Sequence, residues 1–218
     1  MLATLTALVA LQAPNTLSDY EKAHGWKLLF DGETTNGWVN FKSKTIGAGW
    51  QVKDGALTIA DAEHAGDIVT TKKYDWFELS IEFNMEKGQN SGIMYHVADT
   101  GDAIWHSGPE IQIYDHPVEE HVETTGYLYQ LYPAIRDTSK PAGEWNIMRI
   151  HVAKDKCWTS LNGTKLYEYV LGSEDFWARV KKSKFAVYPN FGKIKKGTIG
   201  IQGDHGLVAF RNIKIKTL

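Results

Sequence analysis

The sequence predicts an all-β sandwich of two antiparallel sheets. Three observations carry this. More than ten short runs alternate apolar and polar residues, the period of a half-buried strand. Asp-Gly and Asn-Gly pairs punctuate the runs, in a chain with 20 glycines and 12% aromatic residues. No β-α-β alternation or fixed-period repeat is present, and one segment alone reads as a good helix. At 218 residues the chain is long enough for one substantial core.

In chain order, residues 1–13 are apolar and end on a small residue. They are too short to span a bilayer, and they predict a secretory leader cut after Ala13, although a positively charged start is missing. Residues 14–24 read as a polar lead-in. Gly25 to Gly32 is a short strand that ends in an Asp-Gly turn, and Asn36-Gly37 is a further turn followed by Trp38. Trp50 to Ile59 is a hairpin about Asp54-Gly55, and Ile68 to Thr71 is a strand. From Trp76 to Phe83, Phe77, Leu79, Ile81 and Phe83 oppose Glu78, Ser80 and Glu82. From Ile93 to Val97, Ile93, Tyr95 and Val97 oppose Met94 and His96.

Glu110 to Tyr114 alternates strictly. Ile111 and Ile113 suit a core, while Glu110, Gln112 and Tyr114 line the other face about 7 Å apart. That row offers a carboxylate, an amide and a phenol, the groups a sugar-binding floor needs. Residues 115–144 are long and irregular, with tyrosines that argue for order. Strands at 145–152 and 157–161 and a turn at Asn162-Gly163 follow. Residues 173–182 form the helix: Ser173 caps it, Glu174 and Asp175 suit its start, and Lys181 and Lys182 suit its end. Strands at 198–202 and 207–216 flank Gly203-Asp-His-Gly206.

Composition excludes several function classes. A net charge of −2 gives no electrostatic footprint for nucleic acid. Cys157 is the sole cysteine, so no internal disulfide forms, and no neighbouring base activates it as a nucleophile. No Ser-His-Asp order, phosphate loop or dinucleotide fingerprint appears. The lysines of 181–184 and 193–196 read as a solvated face. Beyond the leader, no segment approaches membrane-spanning length.

Several phrases occur together in one order. They are Gly25-Trp-Lys-Leu-Leu-Phe-Asp-Gly32 with Gly37-Trp38, Trp50-Gln-Val-Lys-Asp-Gly-Ala-Leu57, Asn90-Ser-Gly-Ile93, Glu110-Ile-Gln-Ile-Tyr-Asp115, Gly126-Tyr-Leu-Tyr129, Gly143-Glu-Trp-Asn146, Leu161-Asn-Gly163, and Gly200-Ile-Gln202 with His205-Gly206 and Phe210-Arg-Asn-Ile213. Over residues 25–216 the chain resembles the 3-keto-disaccharide hydrolase domain family. The resemblance implies a concanavalin-like jelly roll with a concave sugar-binding sheet and export to the periplasm or surface of a bacterium. It also implies glycosides already oxidised at C3 by a separate sugar 3-dehydrogenase. Asp204 stands one place later than that pattern leads one to expect.

A C3 ketone acidifies the proton on C2. A base can then form an enolate, the C1 oxygen leaves by β-elimination, and water adds to the enone for net hydrolysis. The site then needs a base, an acid and donors to the enolate oxygen, without a redox cofactor or strong nucleophile. Glu110, His96 and His205 are the candidate proton-transfer groups. Gln112, Gln202, Asn90 and Asp115 are candidate hydroxyl partners, and Tyr114, Tyr129 and Trp105 candidate ring-stacking groups. Each has a plainer reading as well: a half-buried histidine, a turn residue, core packing. Asp115-His116 with Glu119, Glu120, His121 and Glu123 reads mainly as a solvated acidic loop without a known ligand spacing, with Ca²⁺ through Asp115 as the alternative. Two rival functions remain at this stage. One is a non-catalytic carbohydrate-binding module, and the other a conventional glycosidase, which needs a second carboxylate within reach of Glu110.

Overall fold

A computed structural model of the chain describes residues 12–115 and 124–218. Two antiparallel sheets pack face to face. The larger has, in spatial order, β11 (Thr164–Tyr169), β10 (Cys157–Leu161), β9 (Asn146–Val152), β6 (Phe77–Met85), β13 (Val208–Thr217), β4 (Ala56–Ile59) and β3 (Trp50–Lys53), with β1 (Trp26–Leu28) also paired to β13. The smaller has β2 (Trp38–Asn40), β5 (Ile68–Thr70), β12 (Thr198–Ile201), β7 (Asn90–Val97) and β8 (Glu110–Tyr114). This is the sandwich that the sequence predicts.

The alternating residues of β6 and β9 make one wall of the core: Phe77, Leu79, Ile81 and Phe83 beside Met148, Ile150 and Val152. Ile93, Ile111, Ile113, Ile199 and Ile201 of the smaller sheet make the other. Each such side chain contributes about 1.5–3 kcal/mol through its removal from water. The hairpin turns follow their sequence signals. Asp54-Gly55 and Asn162-Gly163 all have positive φ (50°, 72°, 49° and 83°), the backbone that matches strand twist in a two-residue turn.

Helix α3 (Glu174–Lys182) starts at Ser173, whose hydroxyl accepts the Phe176 N–H at 3.2 Å. Phe176 and Val180 anchor it to the core. Two shorter helices were not expected: α1 (Asp19–Ala23) and α2 (Ala62–Ala65). The first falls in the supposed polar lead-in. Ser18 and Glu21 form a reciprocal capping box there, a signal present in the sequence as Ser-x-x-Glu. None of the described helices is long and apolar enough to cross a membrane. Residues 1–11 and 116–123, and with them the leader and most of the acidic loop, lie outside the described residues.

Candidate functional site

Strand register sets the site. Val39 pairs with Val69, Val69 with Gly200, Gly200 with Met94, and Met94 with Glu110. Partners in a ladder share a face, so this row points outward from the smaller sheet. One step along, Gly92 pairs with Gln112 and its carbonyl accepts the Gln202 N–H at 2.9 Å. Asp67, two residues before Val69, extends this second row. Glu110, Gln112, Gln202 and Asp67 therefore share one outward face, whose other side is the isoleucine core.

The middle of that face is apolar and covered. Val69, Met94, Val97 and Ile104 pack together, with Ile104 supplied by the 3₁₀ turn Ile104–His106. The polar groups lie along one end of the strands, in a row from Gln112 on β8 past Gln202 to Asp67 before β5. Glu110 is only 6% exposed. Its carboxylate lies over Gly92, where any β-carbon would collide with it. Gly92 has an ordinary φ, so room for the carboxylate, not backbone freedom, is what requires glycine here.

Burial pushes the Glu110 carboxyl up to about 7. The Lys184 and His205 charges oppose this rise, and Asp67 and Asp204 add to it. Asp67 is pushed up to about 6 by burial and by the Asp204 charge, while the Gly203 N–H bonded to it at 3.1 Å works the other way. That bond also ties the loop after β12 to β5. Trp50 closes the same corner, its indole N–H donating to the Gly66 carbonyl at 2.8 Å. His205 Nδ1 is hydrogen-bonded to Asp204. This bond holds the imidazole above its usual range and the Asp204 carboxyl below its own. With Nδ1–H donating to Asp204, the Nε2 lone pair is left for a substrate proton. A buried high-pKa carboxyl beside an Asp-oriented imidazole is an acid–base arrangement.

The remaining predicted residues divide. Asn90 pairs with Tyr114 in the ladder, and its buried Oδ1 has no hydrogen-bond partner among the described residues. Tyr114 is half-buried, its backbone held by Thr125 Oγ1. The Tyr129 N–H donates to the Glu110 carbonyl at 2.9 Å, which holds its backbone beside that strand, and its ring lies edge-on to Phe185, 6.3 Å between centroids. Trp105 is half-buried, 5.1 Å from the Tyr188 ring and edge-on to it. Asp115 accepts the Gly88 N–H at 2.8 Å and so ties down the turn before β7. Among the described residues no group of three or more His, Cys, Asp or Glu side chains is arranged to hold a metal ion.

His96 is a correction. Between Met94↔Gly200 and Val97↔Thr198, two residues of β7 oppose Ile199 alone, which makes a bulge. His96 itself has φ 53°. The bulge resets the alternation, so Val97 joins Met94 on the outward face. His96 instead packs among Trp76, Phe77 and Tyr95, with Nε2 2.6 Å from the Asp75 carbonyl. It is 1% exposed, burial lowers its pKa, and its Nδ1 has no partner among the described residues. It does not share the Glu110 floor.

Two residues escaped the sequence reading. Asp67 precedes a short strand and carries no motif; its only signal is a charge next to Gly66 at a strand start. Lys184 is exposed, as the solvated-face reading of its lysines expects, and its ammonium also sits over the Trp105 and Tyr129 rings, 4.8 and 4.6 Å from their centroids.

Comparison with known proteins fits this geometry. The model of the 3-keto-alpha-glucoside-1,2-lyase-like domain matches residues 25–216, and the chain belongs to that family. A Bacteroides thetaiotaomicron protein, named a 3-keto-disaccharide hydrolase, is 31% identical over 90% of this chain and 79% of its own. A crystal structure from Parabacteroides distasonis, described as a candidate glycosyl hydrolase, superposes with a TM-score of 0.86 at 32% identity, covering 94% of this chain and all of the other. A Bacillus subtilis protein with a galectin-like fold matches at a TM-score of 0.51 and 12% identity, covering 83% of this chain and 94% of its own. That last likeness is one of fold, and it supports the concanavalin-like jelly roll.

Proposed function

We propose that this protein is an exported carbohydrate-active enzyme that cleaves 3-keto-glycosides by proton abstraction at C2 and β-elimination, with hydration completing net hydrolysis. The observation that carries the reading is the pairing of Glu110, buried and raised to about 7, with the Asp204-oriented His205. Family membership supports the 3-keto-glycoside substrate class.

In this reading His205 Nε2 takes the C2 proton, and the electron pair moves into a C2=C3 bond as the C3 oxygen gains charge. The pair then returns, C1=C2 forms and the C1–O bond breaks. Neutral Glu110 gives its proton to the departing oxygen. Asp67 positions Gly203, and through it the Asp204–His205 loop. Gln112, Gln202 and Asn90 bind hydroxyls, and Trp105 and Tyr129 flank a sugar ring. No step calls for a dedicated cofactor, Ca²⁺ through Asp115 being the alternative carried from the sequence. Substrate would come from a separate sugar 3-dehydrogenase, in the periplasm or outside the cell.

One observation favours a second reading. Asp67 and Glu110 are two raised carboxyls on one face, with the Asp67 charge adding to the rise at Glu110, the raw material of a conventional glycosidase. A single experiment separates the two: NMR of the purified protein with a 3-keto-disaccharide in D₂O, beside the unoxidised parent sugar. Elimination predicts cleavage of the keto sugar alone, with deuterium at C2 of the product. Cleavage without deuterium would replace elimination by direct hydrolysis, and cleavage of the parent would favour the second reading. Binding of either sugar without turnover would make the domain a recognition module.

A further inference from the structure

We infer that Lys184 is a catalytic residue of this site, whose ammonium stabilises the negative charge that develops on the C3 oxygen as the C2 proton leaves. The inference rests on the elimination reading above.

Four observations support it. First, the backbone at Lys184 is fixed. It opens a 3₁₀ turn, Lys184–Val187, capped by Ser183, and its N–H donates to Gln130 Oε1 at 2.9 Å. Second, the ammonium is cradled by aromatic rings. Besides Trp105 and Tyr129 it lies 5.3 Å from the Phe185 centroid. Ring faces attract a cation without neutralising it, so its three N–H donors remain available to a ligand oxygen.

Third, Lys184 is charge-unpaired among the described residues. Lys22, Lys42, Lys73, Lys156, Lys165 and Lys214 each sit within ion-pair distance of a carboxylate; Lys184 is among the other lysines, which do not, so its charge is uncompensated there. Fourth, it is close to the reacting end of the face. After burial itself, its charge acts on the Glu110 carboxyl more strongly than any other group's.

Charge balance gives this placement its meaning. The carboxylates of Asp204 and Asp67 make the surroundings hostile to a developing enolate, while neutral Glu110 brings no countercharge. His205 must be neutral to accept a proton, so it is not a cation when the charge begins to form. Lys184 is the fixed positive charge that fills that need. The gain is realised in the transition state, because the ground-state ketone oxygen carries only a partial charge. Gln112 and Gln202 can add neutral hydrogen bonds, but not a countercharge.

The test is steady-state kinetics of Lys184→Met and Lys184→Arg on a 3-keto-disaccharide, with C2–H exchange into D₂O measured on the same samples. Lys184→Met is expected to lose about 10²–10³-fold in kcat, with KM within about threefold, and C2 exchange should slow in parallel. Lys184→Arg should retain charge and most of the rate. The pH profile supplies a readout that a structural role would not move. Removing the cation raises the Glu110 pKa, so the alkaline fall in activity should shift to higher pH in Lys184→Met and stay in place in Lys184→Arg. Wild-type turnover with kcat unchanged in Lys184→Met, or with a change in KM alone, would overturn the role of Lys184 and leave elimination standing. Failure of the wild type to exchange or cleave the keto sugar would overturn elimination itself. Equal loss in both variants without a shift of the alkaline limb would reduce Lys184 to packing.

Discussion

The two sheets present glutamates to opposite outer faces, and the fates of those glutamates differ. On the larger sheet each is matched. Glu82 accepts from Arg211 Nε at 2.8 Å and from Asn212 at 2.7 Å, and Glu78 lies 3.1 Å from His151 Nδ1. Glu21, on the helix laid over this face, pairs with Lys214. On the smaller sheet Glu110 is buried and Asp67 half-buried, neither has a cation in ion-pair contact among the described residues, and both are pushed up. A matched carboxylate is a stability device. A buried, unmatched one costs stability, and the fold tolerates that cost where chemistry needs a neutral acid near pH 7. The comparison teaches that strand position alone does not assign a role to a glutamate; its partners do.

The largest expected effect tests the unmatched side. Glu110→Gln should lower kcat by about 10²–10⁴-fold and yet leave a more stable protein above neutral pH. The sign follows from linkage. With a folded pKa near 7 against 4.5 unfolded, Glu110 favours the folded state below 4.5, and that favour is lost as pH rises to 7. The glutamine carries no such loss, so its relative gain by pH 8 is up to about 3 kcal/mol, read from denaturant melts at pH 4.5 and 8. A variant equally destabilised at both pH values would break the comparison.

Next comes His96→Ala. His96 fills the core beneath the same sheet, so its loss should cost about 2–4 kcal/mol in stability while kcat stays within about threefold of wild type at 25 °C. A catalytic defect without a stability defect would return His96 to the site. The smallest effect belongs to the matched side. Burial raises the Glu21 carboxyl, but Lys214 and Ser18 overcome that and bring it down to about 2. Its stabilisation is present above 4.5 and fades as pH falls towards 2. Glu21→Gln should therefore cost about 1–2 kcal/mol at pH 7, and almost nothing at pH 2, without touching turnover.

Much of this was legible in the sequence, for identifiable reasons. Alternation gave β6, β8 and β9, and it placed Glu110 and Gln112 on one face because strand side chains follow a strict period of two. The same rule misplaced His96, since one extra residue in β7 reverses every later side chain, and nothing in Tyr95-His96-Val97 announces a bulge. Ser173 announced its helix, and Ser18 would have done so had the capping box been weighed. Asp67 and Lys184 were hidden for another reason. They reach Glu110 through the order of strands in the sheet and a 3₁₀ turn far along the chain. Spacing in a single sequence does not encode that proximity.

The position of β13 has a consequence for how the molecule comes into being. The last strand of the chain is not an edge: β6 flanks it on one side, and β4 and β1 on the other. Without β13 the two parts of the larger sheet, β6 with β9 to β11 and β4 with β3, share no ladder, and the sheet is joined only when residues 208–217 pair across the gap. A nascent chain stalled before Leu207 has a gap in its middle, not a missing trim. Contacts between residues so far apart in sequence are slow to form, and a sheet joined in its middle by one such strand stands or falls with it.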